Sequence, residues 1–181
     1  MKCYFRVAYN ILRIYYKKIF KRCTVNAPLI QSFSRFTELN FGNGSVVNFG
    51  NNIQTDGFCR LIAGENAQLA IGNNSYFNNG CVVSAMKSVT IGNNCLFGPN
   101  VMVFDNNHTF SSKDGVTYKH KTDNIEIGDN CWIASGVIIL KGTHIGSNCV
   151  IGAGCKVSGN IPDGSIVTCS TNNHINAIED R

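Results

Sequence analysis

Residues 104–124, FDNNHTFSSKDGVTYKHKTDN, gather most of the polar chemistry of this chain of 181 residues. His108 stands near the start of the stretch, just past the strand-like run VMVF. An imidazole can take a proton near neutral pH, so a histidine held at the end of a rigid strand is a candidate general base: it could deprotonate a hydroxyl as that oxygen attacks a carbonyl. Asp105, three residues earlier, could orient the ring through Nδ1, although a backbone carbonyl would serve equally. His120 lies further along among lysines and is expected in solvent. His144, just before an Ile-Gly pair, is expected to be structural or solvent-facing, and His174 to be solvated. Zinc needs three or four ligands converging at about 2 Å. His108, His120 and His144 lack the close spacing of such a set, so no metal is expected.

The elements that must position these residues follow from a repeat. The units IGNNSY from Ile71, IGNNCL from Ile91, IGDNCW from Ile127, IGSNCV from Ile145 and IGAGCK from Ile151 each open on an aliphatic residue followed by Gly. Degenerate units such as FNNGCV from Phe77 and IASGVI from Ile133 keep the same spacing of six. One buried aliphatic per six residues suits short strands joined by turns, three to a coil, each stacked about 4.8 Å from its counterpart in the next coil. Gly, Asn and Asp after the aliphatic are expected to serve the turn backbone. Ile127 to Ile145 is one coil of 18 residues, Ile71 to Ile91 is 20, and Ile91 to Ile127 is 36. The last interval holds the polar stretch, which is expected as a loop inserted into a triangular prism.

The rest of the composition narrows the function. With 44% apolar and 15% charged residues the chain is not a disordered tail protein. The net charge of +5 is uneven: Lys2, Arg6, Arg13, Lys17, Lys18, Lys21 and Arg22 precede the first acid, Glu38, and the remaining 9 basic and 11 acidic residues leave the body at −2. That distribution argues against nucleic acid as a partner of the body. Nine cysteines without a secretory signal are expected to be reduced and the chain cytoplasmic. Cys59, Cys81, Cys95, Cys131, Cys149 and Cys155 fall where a coil wants a small apolar side chain, so they are expected in the core. Read as a helix, the N-terminal segment carries a polar stripe, Lys2, Arg6, Asn10, Arg13, Lys17 and Lys21, beside a wide apolar face that includes Phe5, Leu12, Tyr15 and Ile19. Two readings stand open: a helix packed on the first coil or a neighbouring subunit, or peripheral contact through residues 1–22 with an anionic membrane surface, which would be the inner face of the cytoplasmic membrane. The expected division is a helical segment over 1–36, a β-helix over 37–170 carrying the inserted loop 104–124, and a tail over 171–181.

The tandem units resemble the hexapeptide-repeat acyltransferases over roughly residues 41–168. The resemblance implies an all-β fold, a left-handed parallel β-helix, assembled as a homotrimer with sites between neighbouring prisms. Its galactoside, maltose and xenobiotic acetyltransferase branch implies acetyl-CoA as acyl donor and His108 as catalytic base. It further implies that Asn78 binds the acceptor, that Trp132, Ser135 and Ala153 contact acetyl-CoA, and that Lys156 lies near it. The chain departs from the pattern at Ser158 and Gly159, where relatives often carry Thr-Lys, and in the tail from Thr168. The expected activity is transfer of an acetyl group to a hydroxyl of a sugar in a bacterial surface polysaccharide or its precursor, without a covalent enzyme intermediate. A serine or amino-sugar acetyltransferase and a non-catalytic trimeric scaffold are the alternatives.

Overall fold

A computed structural model describes residues 2–20, 22–28 and 31–169; His174 and the tail 171–181 lie outside the described residues. The body is a parallel β-helix with three faces. The first face stacks seven strands, from Thr24–Asn26 through Val46–Phe49, Gln68–Ile71, Ser88–Ile91, Ile125–Ile127 and His144–Ile145 to Asn160–Ile161. The second runs in six from Gln54–Thr55 to Ile166–Val167, and the third in six from Glu38–Phe41 to Lys156–Val157. Every strand in these three sheets pairs in parallel with its counterpart one coil away.

The core is the inward residue of each strand, repeated coil after coil. Leu69, Val89 and Ile125 are fully buried in one column, and Phe77 stacks on Phe97 with ring centroids 4.4 Å apart. All six cysteines expected in the core are buried. Hydrogen bonding to Cys131, and then burial, pushes the Cys95 thiol up, so it packs as a small neutral group.

Coil length shrinks along the prism. Val46 pairs with Gln68, 22 residues on; Gln68 with Ser88, 20 on; Ile127 with Ile145, 18 on; and Ile145 with Ile161, 16 on. The early coils have four-residue strands on the first and third faces, whereas most later strands have two. The winding begins at Thr24, inside the segment expected to be helical to residue 36: the helix spans Lys2–Phe20, and Ser32 already bridges to Gln54. This first coil contains no aliphatic-Gly unit, so the repeat leaves it unmarked.

The turn chemistry divides differently from the expectation. In the unit from Ile71 the left-handed residue is Asn74 (φ 57°), not Gly72, and Asn94, Asn130 and Asn148 repeat it. Their side-chain amides form a ladder, Asn74 to Asn94 at 3.3 Å, Asn94 to Asn130 at 3.1 Å and Asn130 to Asn148 at 3.2 Å. Gly72 is required by the next coil instead: a Cβ there would lie 2.6 Å from the carbonyl carbon of Gly92.

The N-terminal helix closes the wide end of the prism with its polar stripe. Asn10, fully buried, donates to the Phe33 carbonyl at 2.8 Å. Arg6 donates to the Phe33 carbonyl at 3.0 Å and to that of Thr55, and Arg13 to the carbonyls of Ser34 and Thr37. Burial lowers the Arg13 guanidinium. An edge coil presents carbonyls with no preceding coil to satisfy them, and buried carbonyls need donors. The basic stripe supplies them to Phe33 and Thr37 and adds a second donor to Ser34 and Thr55, whose carbonyls already accept the Thr37 and Ser34 N–H groups, and the aromatic face of the helix is left outward.

Candidate active site

The residues singled out in the sequence fall at two corners of the prism. The corner between the second and third faces is a column of stacked turns: Asn78–Gly80, Gly98–Asn100, Ala134–Gly136 and Gly152–Gly154. Consecutive turns are tied by backbone bonds, Gly98 N–H to the Ile133 carbonyl at 2.8 Å, Ala134 N–H to that of Ile151 at 2.9 Å and Gly154 N–H to that of Ser135 at 2.9 Å. Gly98 lets the coils close up here, because a Cβ would lie 2.7 Å from the Ser135 nitrogen. Ser135 and Ala153 are both exposed on this column. Trp132 precedes it on the second face, 54% exposed, in register with Leu96 on one side and Val150 on the other. Lys156 follows it on the third face beside Ile138, also exposed. Asn78 sits on the same corner two coils from Ser135, roughly 10 Å along the stack. Its side-chain oxygen accepts the Asn79 N–H at 2.8 Å, so it also shapes its own turn.

An outward apolar row runs along the second face through Tyr76, Leu96, Trp132, Val150 and Ile166. Burial, and then the 2.8 Å hydrogen bond its hydroxyl donates to Asp56, pushes Tyr76 up to about 12.

His108 projects from the opposite edge of the third face. Residues 104–124 do not form an irregular loop: Asn106–Ser111 and Gly115–Thr122 pair as an antiparallel two-stranded arm. Asp114-Gly115 at its tip is a hairpin signal that the sequence reading passed over, and Gly115 takes φ 67°. His108 is exposed and is not held by the coil below it; its partners lie on the opposite strand of the arm. Its Nδ1 is 3.2 Å from the Thr117 carbonyl. A carbonyl can only accept, so in the neutral ring Nδ1 carries the hydrogen and Nε2 has the free lone pair.

His120 is exposed to solvent, as expected. It is the cross-strand partner of His108, with ring centroids 4.7 Å apart. His108, Val116, Thr117 and Tyr118 line a shallow groove of about 330 Å³.

Asp105 does not orient the ring. It is fully buried, and its carboxylate accepts the backbone N–H groups of Met86 at 2.7 Å, Lys87 at 2.7 Å and Ser88 at 2.9 Å. Its own carbonyl accepts the Asp123 N–H at 2.9 Å, closing the base of the arm. Asp105 therefore fastens the arm to the neighbouring coil, and the Thr117 carbonyl takes the orienting place. His144 lies on the first face, 3.4 Å from Glu126. Among the described residues no group of three His, Cys, Asp or Glu side chains converges as a metal site.

Residues 124–159 match the family described as bacterial transferase hexapeptide (six repeats), and residues 88–103 match the hexapeptide repeat of succinyl-transferase. Over these residues the chain carries hexapeptide repeats, wound as a parallel β-helix. It is 37% identical over 109 residues to a galactoside O-acetyltransferase of Lactococcus lactis, covering 59% of this chain and 50% of that protein. It is 28% identical over 134 residues to a putative lipopolysaccharide biosynthesis O-acetyl transferase of Escherichia coli, covering 69% and 68%. The crystal structure of a hexapeptide-repeat containing acetyltransferase from Vibrio cholerae superposes with a TM-score of 0.55 over 89% of this chain and 80% of that one, at 17% identity, a likeness of fold. The chain spans about half the length of the first curated relatives it matches.

Proposed function

We propose that this chain is an acetyl-CoA-dependent O-acetyltransferase whose acceptor is a sugar hydroxyl, in a bacterial surface polysaccharide or its precursor. The observation that carries the reading is the corner column of Ser135 and Ala153 beside the exposed Trp132, one face of the prism away from an arm that presents His108. The similarity to proteins named for galactoside and lipopolysaccharide O-acetylation supports the acceptor class.

Nε2 of His108 takes the proton of the acceptor hydroxyl while the Thr117 carbonyl holds Nδ1–H. The hydroxyl oxygen attacks the thioester carbonyl, and the oxyanion of the tetrahedral intermediate is met by backbone N–H groups of the corner with the Ser135 hydroxyl. One such donor is worth about 2.7–4 kcal/mol. Collapse of the intermediate expels the thiolate of CoA, which takes the proton back from His108. The indole of Trp132 packs against the pantetheine arm, with Lys156 on the adjoining face and Asn78 further along the same corner towards the acceptor.

His108 and Trp132 belong to different corners of one prism, so the reading places the site between subunits of a homotrimer, His108 of one copy facing Trp132 or Ser135 of the next. Two features support that assembly: the uncovered apolar side chains of the arm, Phe110, Val116 and Tyr118, and the outward apolar row on the second face. A membrane-linked glycan precursor would be met at the inner face of the cytoplasmic membrane, by an enzyme bound there peripherally through residues 1–22.

The test is acetyl-CoA turnover, read as CoA release, with oligosaccharide, amino-sugar and serine acceptors in parallel, for wild type and His108→Ala. The expected result is turnover on an oligosaccharide that falls by about 10²-fold or more in the variant with acetyl-CoA binding retained. Equal activity in the variant overturns the role of His108, preference for serine or an amino sugar overturns the acceptor class, and no acetyl-CoA binding by either protein leaves a scaffold.

A further inference from the structure

The N-terminal helix is amphipathic in the reverse sense. Among its described side chains, Arg6, Asn10, Arg13 and Lys17 all lie on the side packed against the prism, together with buried Ile14 and half-buried Val7 and Ile11, and Asn10 is fully buried. Of these described side chains the exposed ones carry no charge: Phe5 (74% exposed), Tyr9, Leu12 (71%), Tyr15, Tyr16 and Ile19 form one outward stripe, with Ala8 among them. A surface helix of a water-soluble protein normally shows the opposite arrangement. Six large apolar or aromatic side chains in a row along a helix about 28 Å long make a patch that a protein does not leave in water without a use.

We propose that this outward stripe is a membrane-docking surface, on which the protein lies with the helix parallel to an anionic bilayer and the stripe sunk into the headgroup boundary. The residue types suit that depth. Tyr9, Tyr15 and Tyr16 pair an apolar ring with a hydroxyl that reaches the wet layer, and Phe5, Leu12 and Ile19 enter the acyl region. The helix does not cross: among the described residues no helix is long and apolar enough to do so.

Charge selects the bilayer over a second copy of this chain. The segment before Glu38 contains eight basic residues and no acid; of those whose side chains are described, Arg6, Arg13 and Lys17 face the prism and Arg22 and Arg35 are exposed. Two copies stacked through the stripe would bring two such segments together with no acid between them. An anionic lipid surface supplies the opposite charge, and Arg22, exposed just past the helix, lies where it can meet headgroups. The basic stripe holds the prism, and the aromatic face meets the lipid.

The experiment is co-sedimentation of the full chain with vesicles of phosphatidylcholine alone and of phosphatidylcholine with phosphatidylglycerol as the minor component. Wild type is compared with Leu12→Gln/Ile19→Gln, two exposed positions whose change leaves the prism-facing stripe intact; matched thermal melts verify that the variant is folded. Wild type is expected to pellet with the anionic vesicles, less so at high salt, and the variant to lose roughly tenfold or more in partitioning. Equal pelleting of wild type and variant, or failure of wild type to pellet with anionic vesicles, overturns the proposal. A self-association that sizing detects in wild type and not in the variant, without vesicle binding, assigns the stripe to a second copy instead. The outcome is independent of whether the protein transfers acetyl groups.

Discussion

Replacing Asp105 by Asn tests what holds the His108 arm in place. The carboxylate accepts three backbone N–H groups, one at Oδ1 from Met86 and two at Oδ2 from Lys87 and Ser88, in a site with no exposure. An asparagine keeps the Lys87 and Ser88 bonds by placing its oxygen at the Oδ2 position. Its NH2 then faces the Met86 N–H and the Asn106 amide, which loses the charge-assisted bond from Met86 and leaves that donor unsatisfied. Hydrogen bonds to charged groups contribute about 1.5–3 kcal/mol each. Relief from burying a charge offsets part of the loss, so a net destabilisation of about 2 kcal/mol is expected. In a chain of this size that lowers the melting temperature by about 4–8 °C. Urea unfolding followed by circular dichroism gives the stability, and CoA release gives the activity. Because Asp105 also closes the base of the arm through Asp123, activity should fall along with stability and recover partly at low temperature. A variant with wild-type stability and a kcat lowered by about 10²-fold or more would refute the reasoning, since that is the signature of a residue acting on the catalytic ring itself.

Four further outcomes follow from the packing and the site. Gly72→Ala drives a methyl group to within 2.6 Å of the next coil, and should cost about 1–3 kcal/mol in a denaturant titration. Asn94→Ala should be less stable than Asn94→Gly by about 1 kcal/mol, because only glycine accepts φ 56° without strain and both lose the amide ladder. Trp132 is the sole tryptophan, so saturating acetyl-CoA should change the intrinsic fluorescence of wild type; an unchanged spectrum with binding proven by calorimetry would remove Trp132 from the site. An aromatic disulfide reagent should modify exposed Cys169 quickly in the native protein and reach the core thiols, Cys95 and Cys131 among them, only on unfolding; fast modification in a Cys3→Ser/Cys23→Ser/Cys169→Ser variant would contradict their burial.

How much was legible depended on whether a residue's environment repeats. The spacing of Ile71, Ile91, Ile127 and Ile145 revealed a stacked prism because each coil packs on the same positions of the next, so the sequence is its own template. The cysteines at those positions were legible as core for the same reason. The first coil escaped the reading because Thr24–Asn26 and Ser32 pair without any repeat signature, held by an edge rather than a period. Gly72 and Asn74 were both recognised as turn residues, but the division between them was not, since a close approach by Gly92 is a contact 20 residues away.

The candidate site divides along the same line. Ser135 and Ala153 share a corner because they occupy equivalent places in successive coils, with Trp132 three residues before Ser135 on the adjoining strand, which the repeat alone dictates. Whether His108 meets Asp105, Thr117 or His120 depends on the register of the arm, and that is decided by the turn at Asp114-Gly115 and by where the buried carboxylate of Asp105 finds its donors. The helix is the sharpest case. Its periodicity by itself determined two faces, one basic and one aromatic. Which of them meets the prism was decided by the carbonyls of Phe33, Ser34 and Thr37, acceptors on an edge coil that only exist as a set once the chain has wound, and buried acceptors take donors ahead of apolar contact.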